Sequence, residues 1–251
     1  MKLIFTSTGK IAQRLDLPVI GIKQFAILKV ILPYSFHRIR SPDNLIPFDE
    51  NGSACVATLT PGNYTVVTEI ENEVKRALEA ASTLSGAGLI YTVDINVNTG
   101  FMTIETTQPF TLEWSNAVIL ADILGYDSVD LIATLTGGVY RAVGTEVVNL
   151  IDPYVFLRSK QIRTMAKSSL VLDGIESDAI AMIPINTDVY STIEFSGLGT
   201  QESYIQINSS RMIELDFYFT DEYNREITSF NGKRWLIECV FSTDSERGII
   251  D

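Results

Sequence analysis

Residues 212–241 constrain the fold of this chain more than any other stretch. Met212–Thr220 alternates, with Leu215, Phe217 and Phe219 at one set of positions and Glu214, Asp216 and Tyr218 at the other. A polar turn, Asp221–Arg225, follows. Residues 226–232, ending in Asn231-Gly232, lead into a second run, Lys233–Phe241, that carries Trp235 and Ile237. Alternating or apolar runs separated by turn chemistry are β-sheet signals. Leu215, Phe217, Phe219, Trp235 and Ile237 are the expected core. The chain that ends this way carries no recognisable catalytic motif, which points to an assembling β-protein and away from an enzyme.

At 251 residues, the chain can form one large β-domain or two small ones, and can bury a sizeable core. The net charge is −12, from 19 Lys and Arg against 31 Asp and Glu. A nucleic-acid binder must neutralise phosphates, so this balance argues against direct nucleic-acid contact. The one basic cluster, Arg158, Lys160, Arg163 and Lys167, reads as a solvated strand end and loop. Cys55 and Cys239 sit beside apolar residues and read as buried free thiols, although sequence leaves their disulfide state open. The N-terminus lacks the long apolar stretch of a signal peptide, and no run is long enough to span a membrane.

Residues 1–20 show weak periodicity and read as an N-terminal arm, with the β-domain occupying 21–251. Residues 24–32 form a strand, interrupted by Pro33 and resumed over Tyr34–Ile39. Residues 41–44 and 49–53 are loops. An inserted α+β subdomain is expected at about 60–128. It opens with a helix from Val66 to Thr83, with Val67, Ile70, Val74, Leu78 and Ala81 on one face. Thr65 is one N-cap; a capping box over Thr68–Glu71 starts the helix later. Ser85–Gly88 ends it. A hairpin over 90–106, a strand over 110–114 and a short helix over 116–124 complete the insert. Further strands are expected at 148–157, 179–185, 189–195 and 203–207, with a loop over 164–175. About eight strands outside the insert is the count of a single jelly-roll β-sandwich.

Several constellations resemble chemical sites. Asp94, Asn96, Asn98 and Glu105 have calcium-loop spacing, but Gly100 falls one position late, and a hairpin with an Asn98-Thr99-Gly100 loop accounts for the same residues. His37 is the only histidine and has no partner spacing for nucleophilic catalysis or zinc. Acids gather at Asp173, Glu176 and Asp178, and at Asp216, Asp221 and Glu222, yet a glycosidase needs two that converge. Gly197-Leu-Gly199 lacks the third glycine and helix of a phosphate loop. The sequons at Asn51, Asn63 and Asn208 read as chance matches. No catalytic, cofactor or metal residues are therefore assigned. Tyr190, Tyr204, Tyr218 and Tyr223 could form a sheet face for carbohydrate or receptor binding, the alternative function, and a hydrolase using paired acids ranks third.

Four stretches carry a resemblance covering most of residues 24–241. They are Val30–Phe36; Leu59–Thr65 before the amphipathic helix; Tyr91–Asp94 through Asn98–Gly100 and Ile104–Thr106 to Phe110–Leu112 and Leu120–Tyr126; and Ile213–Leu215 through Asn231-Gly232 to Trp235–Ile237. Their order resembles the penton (vertex) proteins of double-jelly-roll DNA viruses, such as virophages and polinton-like viruses. The resemblance implies an upright single jelly roll in a virion capsid, with five copies ringing a vertex and the inserted subdomain facing outward. The arm would cross to a neighbouring capsomer or the capsid interior. Implied partners are the chain itself as a homopentamer, the neighbouring major capsid protein, and other minor capsid proteins or a host receptor.

Overall fold

The computed structural model describes residues 1–166, 170–172, 175–197 and 204–243. The chain divides into two compact units, one of Met1–Phe36 with Asp152–Asp251 and one of His37–Ile151. The segment expected as an insert lies inside the second unit.

The first unit opens with β1 (Lys2–Ser7) and β2 (Ile11–Pro33). The chain then builds the second unit. It contains β3 (Leu45–Glu50), β4 (Ser53–Thr58), α1 (Val67–Ser85), β5 (Thr92–Ile95), β6 (Met102–Thr106) and β7 (Phe110–Leu112). A 3-10 turn at Trp114–Asn116 leads to α2 (Val118–Ile123), β8 (Leu131–Ile132), β9 (Thr134–Thr136) and β10 (Val139–Val143). Back in the first unit come β11 (Tyr154–Arg158), α3 (Lys160–Met165), β12 (Leu170–Leu172), β13 (Ile175–Ser177), β14 (Ala179–Pro184) and β15 (Thr192–Ser196). Two long strands, β16 (Ile205–Thr220) and β17 (Trp235–Thr243), finish it. The mostly-β class and antiparallel pairing are as expected.

The two closing strands do not pair with each other. Each pairs with β2: Phe217 lies opposite Ile11, and Leu236 lies opposite Ile31. These points are 20 residues apart along β2, roughly 65 Å if it were straight. Yet the rings of Phe219 and Trp235 have centroids 5.5 Å apart. So β2 folds back, and its two halves belong to opposite layers of a sandwich. Gly21 lies between these halves, with a φ of 65° that suits a residue without Cβ. The partner strands break register beside it, between Gln206 and Ser209 in β16 and between Ser242 and Thr243 in β17. Across the layers Phe217 meets Phe5 edge-on at 5.3 Å and lies 6.5 Å from Phe25. Leu215, Phe217, Phe219, Trp235 and Ile237 are all buried in this core, as expected.

Several expected elements differ. Residues 1–20, read as an arm, are strand: β1 pairs with β17 from Lys2↔Val240 to Ser7↔Trp235, and β2 starts at Ile11. Only Phe5 of β1 is deeply buried, so an edge strand with one anchoring side chain looks aperiodic in sequence. Tyr34–Ile39 does not resume the strand; Ile39 makes a lone bridge to Gly62. The strand expected over 148–157 begins only at Tyr154, because Pro153 has no N–H and the amides of Val148 and Asn149 are spent on Gly100 and Ile123. Residues 203–207 and 212–220 were expected as separate strands, but Ile205–Thr220 is one continuous strand. The expected loop at 164–175 includes the end of α3, strand β12 and the first residue of β13.

In the second unit, β4-β3-β7-β8 and β5-β6-β10-β9 form two four-stranded sheets. Helix α1 packs on β4 and β5 and buries Ile70, Val74, Ala77, Leu78 and Ala81. Val67, expected on that face, is exposed. Neither Thr65 nor the Thr68–Glu71 box caps α1; its N-cap is Val66, without a side-chain bond. Glu71 instead accepts the Ile95 amide at 2.6 Å, tying the helix to the hairpin. Gly86, at φ 89°, ends α1 in a left-handed cap.

Candidate functional site

The acids singled out in the sequence come together in part. Asp178 and Asp216 meet the end of β11 and the start of α3. Arg158, buried in β11, donates to Asp178 at 2.7 Å and to the Thr220 hydroxyl at 2.8 Å. The Tyr218 hydroxyl donates to the other oxygen of Asp178. Asp216 accepts from the Ser159 hydroxyl at 3.0 Å and from the amides of Lys160 at 3.2 Å and Gln161 at 2.9 Å. Ser159 in turn caps α3 by accepting from the Ile162 amide at 3.1 Å. These acceptors are filled by the chain's own donors.

The electrostatics agree with a clamp. Burial pushes the Asp178 carboxyl up, but the bonds from Tyr218 and Arg158 outweigh it and hold the group below its ordinary value. Burial first, then Asp178, pushes the Tyr218 hydroxyl up. A glycosidase acid must hold its proton near neutral pH, which requires a raised carboxyl. Asp178 is shifted the other way. The cluster joins strands and α3, and Asp178 is not poised as a proton-donating acid.

The other candidates are dispersed. Asp221 is buried within the turn it was read into, accepting from the amides of Tyr223 and Arg225 and from the Arg225 guanidinium at 2.7 Å. Lys167 and Asp173 lie outside the described residues, as does Gly199. Arg158, read as part of a solvated basic patch, is buried instead. The calcium-like stretch is the β5–β6 hairpin. Its loop is longer than the three residues expected, closed by the Asn96 amide donating to Phe101 at 3.0 Å. The Asn96 side chain accepts from the amides of Asn98 and Thr99, which supplies a hairpin reason for the residue. Among the described residues no group of three or more His, Cys, Asp or Glu side chains could hold a metal. His37 is half-buried and, among the described residues, has no hydrogen-bonded acid or nucleophile.

Of the four tyrosines, Tyr190 and Tyr204 are exposed, whereas Tyr218 is buried against Asp178 and Tyr223 lies under the Arg225 guanidinium. Both cysteines are buried free thiols. In the second unit Glu50 is buried and accepts from the Tyr91 hydroxyl at 2.7 Å and the Ser82 hydroxyl at 3.0 Å. Burial, then Glu50, pushes the Tyr91 hydroxyl up.

Charge is divided unevenly. The second unit holds 14 Asp and Glu against 5 Lys and Arg, a net −9, while the first holds 17 against 14, a net −3. The second unit also carries an open groove of about 480 Å³ lined by Pro42, Leu45, Pro47, Val56 and the Ser115–Leu120 segment. Sequence reasoning did not single out these residues. The available signal was the Asn51-Gly52 turn between two short alternating runs, which form the β3–β4 hairpin.

No protein-family model matches the chain. No curated protein matches it either. Among solved structures it is similar to the crystal structure of the mavirus penton protein, at 9% identity and a TM-score of 0.50. The match covers 96% of this chain and 98% of that one. The likeness is one of fold, and it extends over residues of both units.

Proposed function

We propose that this chain is a non-enzymatic capsid protein, the pentameric vertex subunit of an icosahedral DNA virus. The observation that carries the reading is the fold likeness to the mavirus penton protein over nearly the full length of both chains. A match to one layer of a sandwich would be shared by many β-proteins; a match that includes the intervening second unit is more demanding. The first unit supports the role physically. Its doubled-back strand and cross-layer aromatics make a rigid block, and one heterologous patch on such a block closes into a ring under cyclic symmetry.

The charge division supports an orientation. A near-balanced first unit can pack against neighbours, including the major capsid protein, without strong self-repulsion. The acidic second unit suits the outer surface, where net charge keeps particles apart. The test is electron microscopy and native mass spectrometry of the purified protein, alone and co-expressed with a candidate major capsid protein from the same genome. Closed five-fold rings are expected. Dimers or trimers alone under both conditions would refute the reading.

A further inference from the structure

An antiparallel sheet with one face on a core and one in water carries polar residues at its outward positions. The β3–β4 hairpin does not follow this rule. Its inward residues Ile46, Phe48, Cys55 and Ala57 are buried. Its outward residues lie opposite one another as Leu45↔Thr58, Pro47↔Val56 and Asp49↔Ala54, four of the six being apolar. Leu45 is 39% exposed and Val56 54% exposed. Beside them stands Val118 at the start of α2, 52% exposed. Of these, Leu45, Pro47, Val56 and Val118 line the groove described above.

The rim is acidic. Asp43 lines the groove. Ser115, also lining it, donates its amide and hydroxyl to Asp130 at 3.1 and 2.7 Å. The Asn116 amide lies 3.5 Å from Glu113. No Lys or Arg is among the described lining residues, and the surrounding unit has a net charge of −9. A second copy presenting the same unit would bring like charge to this face. An apolar floor with Asp43 in its lining, and Asp130 and Glu113 behind Ser115 and Asn116, is instead complementary to a segment that carries both aliphatic and cationic side chains. In an extended segment alternate aliphatic side chains face the floor, and the long Lys or Arg side chains between them start from the outer side and reach back to the acidic rim.

We propose that this groove docks an extended segment of another protein, with aliphatic residues at alternate positions and Lys or Arg between them. The inference rests on the geometry of the second unit and stands apart from the capsid reading.

The probe is a fluorescent octapeptide of alternating leucine and lysine, titrated into the full-length protein and followed by anisotropy. Two control peptides replace lysine with glutamate or leucine with serine. The leucine–lysine peptide is expected to bind, and both controls to bind at least about tenfold more weakly, the size of one lost anchor. Val56→Lys and Val118→Lys are both at exposed positions and are expected to weaken binding by about tenfold each. Leu135→Lys adds the same charge on the other sheet of the unit and is expected to leave binding unchanged. Equal loss in Leu135→Lys would mean diffuse charge attraction and overturn the site. So would equal binding of the serine peptide, or no binding of the leucine–lysine peptide. Sedimentation in which Val56→Lys and Val118→Lys abolish self-association would make the groove a self-interface, which also overturns the proposal.

Discussion

Phe217→Ala tests whether the doubled-back sandwich holds the first unit together by itself. Phe217 is fully buried, pairs edge-on with Phe5 at 5.3 Å and lies 6.5 Å from Phe25. It therefore touches both layers. Truncating a buried phenylalanine costs about 3–5 kcal/mol, and the lost aromatic pairing belongs within the upper part of that range. A loss of about 4 kcal/mol is a large share of a domain's ordinary stability of about 5–15 kcal/mol. With a urea slope of about 2 kcal/mol per molar, the midpoint should fall by about 2 M. The chain supplies its own reporters, because its two tryptophans are buried one in each unit, Trp235 in the first and Trp114 in the second. In a Trp114→Phe background, Trp235 fluorescence should show the whole shift. In a Trp235→Phe background, Trp114 should unfold at an unchanged midpoint. An equal shift at Trp114 would show one cooperative core and refute the reasoning from two compact units; an unmoved Trp235 midpoint would refute the packing argument.

Two further predictions follow from the buried groups. The Asp178 carboxyl is lowered in the folded state, so its contribution is present above the unfolded carboxyl range near about pH 4 and is lost as pH falls through the lower folded value. Asp178→Asn should therefore be less stable than the parent at neutral pH, with the difference shrinking as urea midpoints are measured toward about pH 2; a difference that stays constant with pH would contradict the linkage. Burial, then Glu238, pushes the Cys239 thiol up to about 12, and burial raises the Cys55 thiol as well. Neither should react with an aromatic disulfide reagent in the native protein at about pH 8, and both should react in urea, since the thiolate is the nucleophile. Rapid labelling of the native protein would show that one of the two sites opens.

Much of the local structure was legible because it is written in short-range periodicity. Helix α1, the 90–106 hairpin and the alternation of Leu215, Phe217 and Phe219 each depend on neighbours a few residues away. Elements whose stability comes from distant groups were not legible. α3 is six residues long and has little periodic signal; its start is held by Asp216, more than fifty residues later. β1 has one deeply buried side chain and exists because β17 supplies its ladder. Arg158 looked like surface charge until Asp178 and Thr220 closed around it.

The candidate surface divides the same way. The acidity of residues 37–151 is present in the sequence, yet it becomes a property of one body only once the fold shows where that unit begins and ends. The alternating runs around Asn51-Gly52 could have announced a hairpin, but which of its faces meets water is set by α1 packing on the other.

By itself, then, the sequence determined that the chain is mostly β, that its last two strands carry core residues and that one amphipathic helix stands among the strands. Hydrophobic periodicity is local and survives without tertiary context. Only the tertiary structure decided that those last strands never pair with each other. Their partner is β2, some two hundred residues earlier, and the fold-back of that strand sets them on opposite layers. Strand partners and layer assignment follow from which buried faces can cover one another, and that is a property of the assembled chain.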